Sequence, residues 1–237
     1  GDYVLSESGG PLNYSAGTWG CTAGSLDGAV VTLAPGEVAT CSINNNDDPA
    51  GLTLHKVVVN DDGGTAANTE WTLSATGPVE ISGMDGDASI TGATVSAGVY
   101  TLSESGGPTG YTAGTWSCEG GNLSVDQLTL GLGESASCSI TNDDIAPQLT
   151  VIKHVVNNDD GTAVAGDWTM DVTAGNPSSN NFAGTEAPGI TITVDAGAYS
   201  VDESGGPDGY AKTLGSGCSG NLEVGGSASC TITKIGR

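Results

Sequence analysis

Basic residues are scarce in this chain: Lys and Arg together number 5, against 28 Asp and Glu, and the formal net charge is −23. A protein that binds nucleic acid or an anionic membrane surface needs Lys and Arg to neutralise phosphate groups. We therefore expect no nucleic-acid partner and no binding to an anionic membrane.

Long apolar runs are also missing, so we expect no part of this segment to insert into a membrane. The chain has a single Phe, strong helix formers are few, and Gly accounts for 39 of its 237 residues. Such a composition is typical of short strands separated by turns that contain Gly, Asn-Asp or Pro. The sequence predicts an all-β protein with almost no helix.

The chain repeats itself with a period of about 97 residues. The motifs "YVLSESGGP", "YTLSESGGP" and "YSVDESGGP" begin at Tyr3, Tyr100 and Tyr199. Likewise, "LTLHKVVVNDDGGTA" at Leu52 returns as "LTVIKHVVNNDDGTA" at Leu149. The repeat is therefore the unit from which the domains are predicted.

Three domains follow from the repeat. Residues 1–48 match only the second half of a repeat, whereas 49–146 and 147–237 are complete and the last has a variant final strand. Either the chain is a window from a longer array, or another chain completes residues 1–48. Each complete repeat contains about seven strand-like runs, the number found in immunoglobulin-like β-sandwiches. The predicted fold is a tandem array of such domains.

The six Cys residues occur as two per repeat. Two isolated Cys and a pair of His give too few ligands for a metal site, so pairing within each repeat is the economical interpretation. The predicted disulfides are Cys21–Cys41, Cys118–Cys138 and Cys218–Cys230. Because disulfides persist in oxidising compartments, we expect a secreted or cell-surface protein.

Three polar side chains of the second repeat fall on core-facing positions when the two-residue period of a strand is applied. Lys56 shares the apolar face of "LTLHKVVV", Glu104 that of "YTLSESGGP", and Asn142 that of "CSITN". A buried ammonium or carboxylate without a partner is costly, so the three are expected to compensate one another.

A Lys in the first strand, a Glu in a "YxLxE" strand and an Asn near the end of the last strand resemble the pattern of CnaB-type domains, the prealbumin-like sandwiches of bacterial surface adhesins and pilins. The resemblance covers both complete repeats and the half repeat. It implies an intramolecular isopeptide bond, with Lys56 as nucleophile, Asn142 as acceptor and Glu104 as acid/base. The other interpretation is a buried salt bridge with Asn hydrogen-bonded beside it.

The other repeats depart from this pattern. The third keeps Lys153 and Glu203 but has Lys234 in place of the acceptor, so we expect an ion pair there and no isopeptide bond. The half repeat has Glu7 and Asn45 and lacks the Lys strand. Its site is predicted to be incomplete unless a Lys from outside residues 1–48 reaches it.

Acidic residues are predicted to meet at one pole of the second sandwich, where the first turn and the last strand end. Their carboxylate oxygens would suit Ca²⁺, but Asp also favours tight turns. Calcium is the one cofactor that the sequence suggests. The candidate ligands are Asp61, Asp62, Asp143 and Asp144.

The sequence has no nucleophile–His–acid set and no Gly-rich phosphate loop, so we expect no enzyme acting on an external substrate. The leading interpretation is a structural protein of the bacterial surface, a stalk or filament subunit that contacts neighbouring repeats or copies of itself. The alternatives are an adhesin that binds a glycan or protein of the host or surface, and a calcium-dependent matrix protein. Buried Trp side chains would favour the structural role, and an exposed aromatic patch the adhesin.

Overall fold

The computed structural model describes residues 1–237, and its architecture confirms the all-β prediction. It contains 25 strands and three 3-10 turns of three residues each. None of the helical segments is long or apolar enough to cross a membrane. The 3-10 turns are Asn68–Glu70, Ala165–Asp167 and Ser216–Cys218.

Residues 1–48 contain seven short strands: β1 (Asp2–Val4), β2 (Tyr14–Ala16), β3 (Gly20–Cys21), β4 (Ser25–Asp27), β5 (Val30–Thr32), β6 (Cys41–Ser42) and β7 (Asn45–Asp47). They form three small sheets, with the strand order β1-β5-β4 in one and the pairs β2-β7 and β3-β6 in the others. In β2-β7, Tyr14 lies opposite Asp47 and Ala16 opposite Asn45.

Residues 49–146 contain ten strands: β8 (Ala50–Val59), β9 (Trp71–Thr76), β10 (Ile81–Gly83), β11 (Ala93–Val95), β12 (Gly98–Gly106), β13 (Tyr111–Ala113), β14 (Ser117–Glu119), β15 (Asn122–Ser124), β16 (Gln127–Leu130) and β17 (Ser135–Asp144). They form two sheets, ordered β10-β9-β12-β16-β15 and β11-β8-β17-β13, with β14 also paired to β17. Ten strands replace the expected seven because short strands also form between Tyr111 and Ser124.

Residues 147–237 contain eight strands: β18 (Gln148–Val156), β19 (Trp168–Thr173), β20 (Asn181–Ala183), β21 (Ile190–Thr193), β22 (Gly197–Gly205), β23 (Tyr210–Leu214), β24 (Ser219–Leu222) and β25 (Ser227–Gly236). They form two sheets of four strands, ordered β21-β18-β25-β23 and β20-β19-β22-β24. The first and last strands, β18 and β25, run parallel, with Lys153 opposite Ile232. Their inward side chains pack into one core around Trp168, Met170 and Ile232.

Contacts divide the chain into two compact units. One comprises Gly1–Leu54, Leu73–Ser103 and Ser117–Cys138, and the other His55–Thr72, Glu104–Trp116 and Ser139–Arg237. The domain boundaries that follow from the sequence repeat stay a prediction.

All three disulfides that were predicted from the Cys spacing are present. They join Cys21 to Cys41, Cys118 to Cys138 and Cys218 to Cys230, and no Cys is free. A crosslink of this kind stabilises the fold by restricting the unfolded chain, by about 3 kcal/mol for a loop of 15 residues in the chain-entropy model.

Candidate functional site

Lys56 points into the second repeat because β8 alternates strictly. Leu52, Leu54 and Lys56 are buried, and His55 between them is exposed. The Lys56 Nζ lies 3.1 Å from Glu104 Oε2 and donates a hydrogen bond of 3.4 Å to the carbonyl of Ile140. The alternation of β8 therefore places the Lys56 amine in the core, where it contacts the Glu104 carboxylate and the last strand, β17.

Aromatic rings cover this point. The Lys56 Nζ is 5.0 Å from the centroid of the Trp71 ring, and Tyr111 packs edge-on against Trp71 with centroids 5.5 Å apart. The end of "SESGGP" passes over the same indole: Gly107 has φ +80°, and a Cβ there would clash with Trp71 Nε1. The paired glycines thus allow the chain to close over the Trp that shields the Lys.

Asn142 completes the group of predicted site residues. It is buried in β17, two residues after Ile140, and lies opposite Ala113 of β13. Because side chains two apart on a strand share a face, its amide lies on the same side of β17 as Ile140. Its Oδ1 is buried and accepts no hydrogen bond. A buried carbonyl oxygen in that condition is unfavourable unless other chemistry satisfies it.

Burial lowers the pKa of the Lys56 ammonium below its ordinary value of 10.5, and this effect outweighs the opposing hydrogen bond and charge of Glu104. A lowered pKa raises the fraction of neutral amine, the form that attacks a carbonyl carbon. The site therefore presents an activated amine beside a carboxyl group that can transfer protons.

The third repeat has the same arrangement with a cation at the acceptor position. Lys153 is fully buried, and its Nζ lies 2.7 Å from Glu203 Oε2. Lys234 Nζ lies 3.4 Å from Glu203 Oε1. Both amines face the Trp168 ring, at 4.5 and 5.6 Å from its centroid. The expected ion pair is present, and it is extended to a triad in which two amines share one carboxylate.

Burial also lowers the pKa of Lys153 below 10.5, so the folded protein binds fewer protons than the unfolded chain between the lowered pKa and 10.5. The free energy of unfolding is therefore expected to increase as the pH rises through that window, and the full destabilisation from charging Lys153 is present below the lowered pKa.

Urea unfolding of the third repeat between pH 8 and pH 10 measures the slope of stability against pH. Lys153→Met should reduce the slope of stability against pH. Lys212→Met, which removes a partly exposed ammonium, should leave that slope unchanged. Equal slopes in all three proteins would contradict the assignment.

In the half repeat, Glu7 and Asn45 are also brought together. Asn45 Nδ2 donates a hydrogen bond of 3.3 Å to Glu7 Oε2, and both residues are exposed. Residues 1–48 contain no Lys. This half-site therefore has the carboxylate and the amide but not the nucleophile.

The acidic residues near Asp61 mainly fix a turn. Asp144 is buried, and its carboxylate accepts backbone N–H bonds from Asp61, Asp62 and Gly64 at 2.6 to 3.1 Å. Carboxylate oxygens of Asp61, Asp143 and Asp144 come within 4.8 Å of one another, a group that does not include Asp62. Calcium binding stays a hypothesis, because the backbone donors already satisfy the Asp144 carboxylate.

A second recurring contact, which was not predicted from the sequence, joins a Tyr to the Asn that follows the Lys strand. The Tyr111 hydroxyl donates to Asn60 Oδ1 and accepts a bond of 3.1 Å from the Ala66 N–H. Tyr210 makes the same bond to Asn157, at 2.5 Å. The signal that would have revealed it is the Asn found four residues after Lys in both complete repeats.

Comparisons with known proteins bear on the fold. A family model described as a prealbumin-like fold domain matches residues 1–43, 47–140 and 144–233. No curated protein matches the chain.

Among solved structures, the Bacillus anthracis TIE protein is 14% identical with a TM-score of 0.47, and the match covers 88% of this chain and 38% of that one. The pilus adhesin SpaC from Lactobacillus rhamnosus GG is 14% identical with a TM-score of 0.34, over 83% and 32% of the two chains. The major pilin protein (T-13) from Streptococcus pyogenes is 14% identical with a TM-score of 0.31, over 79% and 97%. The chain thus spans less than half the length of the first two.

Proposed function

The chain belongs to the family of prealbumin-like fold domains, and from this premise we propose that it is an extracellular structural protein of a bacterial surface. In this proposal its repeats form part of a stalk or filament and contact neighbouring repeats or copies of itself. One disulfide per repeat and a Lys56–Asn142 isopeptide bond stabilise it. The three disulfides support the extracellular location, because such bonds persist in oxidising surroundings.

The observation that carries the proposal is the burial of the Lys56 amine against Glu104, on the side of β17 where the Asn142 amide lies. The neutral Nζ attacks the Asn142 Cγ and forms a C–N bond. The Cγ–Nδ2 bond then breaks and Nδ2 leaves as ammonia, with Glu104 passing the proton from the Lys nitrogen to the departing nitrogen. The products are one secondary amide and one ammonia, and no other reactant is needed.

The location of this bond suits a protein that is under tension. It would join β8 to β17, the first and last strands of the second repeat, which are neighbours in one sheet. A pull on the two ends of the repeat would then pass through covalent bonds, without loading the hydrogen bonds of the sheet. The buried Trp71 and Trp168 also support the structural role over an adhesin, since these rings serve the core.

The intact mass of the chain under reducing conditions tests the proposal. The mass should be about 17 Da below the calculated value, because one ammonia is lost. Lys56→Arg and Asn142→Ala should each restore the calculated mass of the variant. Lys153→Arg, the matched control in the third repeat, should keep the deficit. A wild-type chain at its full calculated mass would contradict the isopeptide bond.

A further inference from the structure

The segment that joins the second repeat to the third is hydrogen-bonded to both of them. The Ile145 N–H donates a bond of 2.9 Å to the carbonyl of Gly110, which belongs to the second repeat. The Ile145 carbonyl accepts a bond of 2.7 Å from the N–H of Gly225, in the turn that precedes β25 of the third repeat. Ile145 therefore connects a loop of one repeat to a turn of the next.

A second turn of the third repeat contacts the second repeat at a separate point. The Ala196 N–H, between β21 and β22, donates a bond of 2.8 Å to the carbonyl of Asp62. Gly63 lies so close to this bond that a Cβ there would be 2.7 Å from the Ala196 nitrogen. In the third repeat the residue that corresponds to Gly63 is Asp160, which also has a positive φ. A side chain is thus compatible with this backbone conformation but not with the contact to Ala196.

Gly110 makes a third contact between the two repeats. Its φ is +88°, and a Cβ there would lie 2.5 Å from the carbonyl oxygen of Val224. Its counterpart in the third repeat is Gly209, with φ +87° and no atom within 4 Å of a Cβ built on it. The two glycines share a backbone conformation, but only Gly110 lies close to another repeat.

The linker between the repeats is short and restrained. Only Ala146 and Pro147 separate Ile145 from Gln148, the first residue of β18. The Pro ring fixes the φ of residue 147 and restricts the backbone of Ala146. Pro147 is buried, and its carbonyl accepts a bond of 3.1 Å from the Val194 N–H. Such a linker has far less freedom than the Gly/Ser-rich linkers that behave as flexible coils.

The same backbone bonds recur between residues 1–48 and the second repeat. The Asp48 N–H donates a bond of 2.9 Å to the Asn13 carbonyl, and the Asp48 carbonyl accepts one of 3.0 Å from the Gly133 N–H. Gly133 and Gly225 have φ values of +66° and +69°, a region that favours Gly. Asp48 and Ile145 differ in chemistry, yet their bonds agree because main-chain groups make them.

We propose that these contacts form a rigid joint, which holds the third repeat in one orientation on the end of the second. All of them lie within one of the two compact units. A single hydrogen bond would allow one repeat to swing about it. The bonds at Ile145 and Asp62 and the close approach of Val224 to Gly110 give three separate points, and together they remove that freedom.

The interaction surface is thus the end of a repeat, and its partner is the turn before the last strand of the following repeat. Domains joined by a linker usually move relative to one another, so fixed orientation is a specific claim about this chain. A stalk with such joints would resist bending between repeats. The joint uses neither Lys56 nor Asn142 and does not depend on the isopeptide bond proposed for them.

Double electron–electron resonance between two nitroxide labels tests the joint in the whole chain. One label is attached at Thr141→Cys in the second repeat and the other at Thr169→Cys in the third, both at exposed positions. The distance distribution should be narrow, as wide as that of a reference pair at Thr169→Cys and Thr193→Cys within the third repeat. A distribution much broader than that of the reference pair would overturn the rigid joint.

Variants at the contacts identify what holds the orientation. Gly110→Ala should replace the narrow distribution by a broad one, because its Cβ displaces Val224. Gly63→Ala should do the same through the separate contact with Ala196. Gly209→Ala is the matched control: it introduces the same backbone strain without touching another repeat, and the distribution should stay narrow.

Equal widths for Gly110→Ala, Gly63→Ala and Gly209→Ala would contradict the assignment of the joint to these contacts. The intact mass of the same samples reports separately on the Lys56–Asn142 bond. Failure of that bond is therefore distinguished from failure of the joint.

Discussion

Replacing Asn142 by Ala is expected to lower the melting temperature of the second repeat by about 20 °C. The isopeptide bond would close a loop from Lys56 to Asn142, and a closed loop of that length restricts the unfolded chain by about 4 kcal/mol in the chain-entropy model. In a domain of about 100 residues, each kcal/mol shifts the melting temperature by roughly 4 to 8 °C. The Cys118–Cys138 disulfide lies inside the loop and shortens it only slightly.

Differential scanning calorimetry with the disulfides intact measures this effect. Asn45→Ala is the matched control: it removes the same side chain at the corresponding position of the half repeat, where Asn45 is exposed and bonds only to Glu7 among the contacts described. Its transitions should coincide with those of the wild type. A shift of only a few degrees for Asn142→Ala would match loss of one buried polar group and would contradict a covalent bond.

Much of the site could be predicted because a strand places alternate residues on opposite faces. That rule alone directs Lys56, Lys153 and Asn142 into the core, and the structure buries all three. The disulfides could also be predicted from the sequence, since each repeat has only two Cys. These predictions succeed because they depend on local periodicity and on small numbers of candidates.

Contacts between distant segments could not be predicted in the same way. The sequence suggests a metal ligand in Asp144, yet the structure uses this carboxylate to hold the turn of residues 61–64. Its role depends on where β8 ends relative to β17, which periodicity does not specify. The clash that makes Gly107 necessary beside Trp71 also depends on tertiary packing. The roles of such residues can be interpreted only once the packing of the strands is known.

The third repeat offers the sharpest test of which residue decides whether the bond forms, because Lys234→Asn should install a second crosslink. Lys153 is fully buried with a lowered pKa, and Glu203 lies 2.7 Å from its amine, so nucleophile and proton carrier are in place. Lys234 follows Ile232 by two residues, as Asn142 follows Ile140. We expect the variant to lose about 34 Da in total, from two molecules of ammonia, against about 17 Da for the wild type.

Lys234→Ala is the control that distinguishes formation of a new isopeptide bond from loss of the Lys234 cation. Both variants relieve the crowding of two amines on Glu203, but only the Asn variant provides a carbonyl carbon for attack. Lys234→Ala should therefore keep the wild-type deficit of about 17 Da, and adding Lys153→Arg to Lys234→Asn should return the deficit to that value. If Lys234→Asn gains no second loss of ammonia, then the residue at this position does not by itself decide the chemistry, and the packing of β18 against β25 must do so.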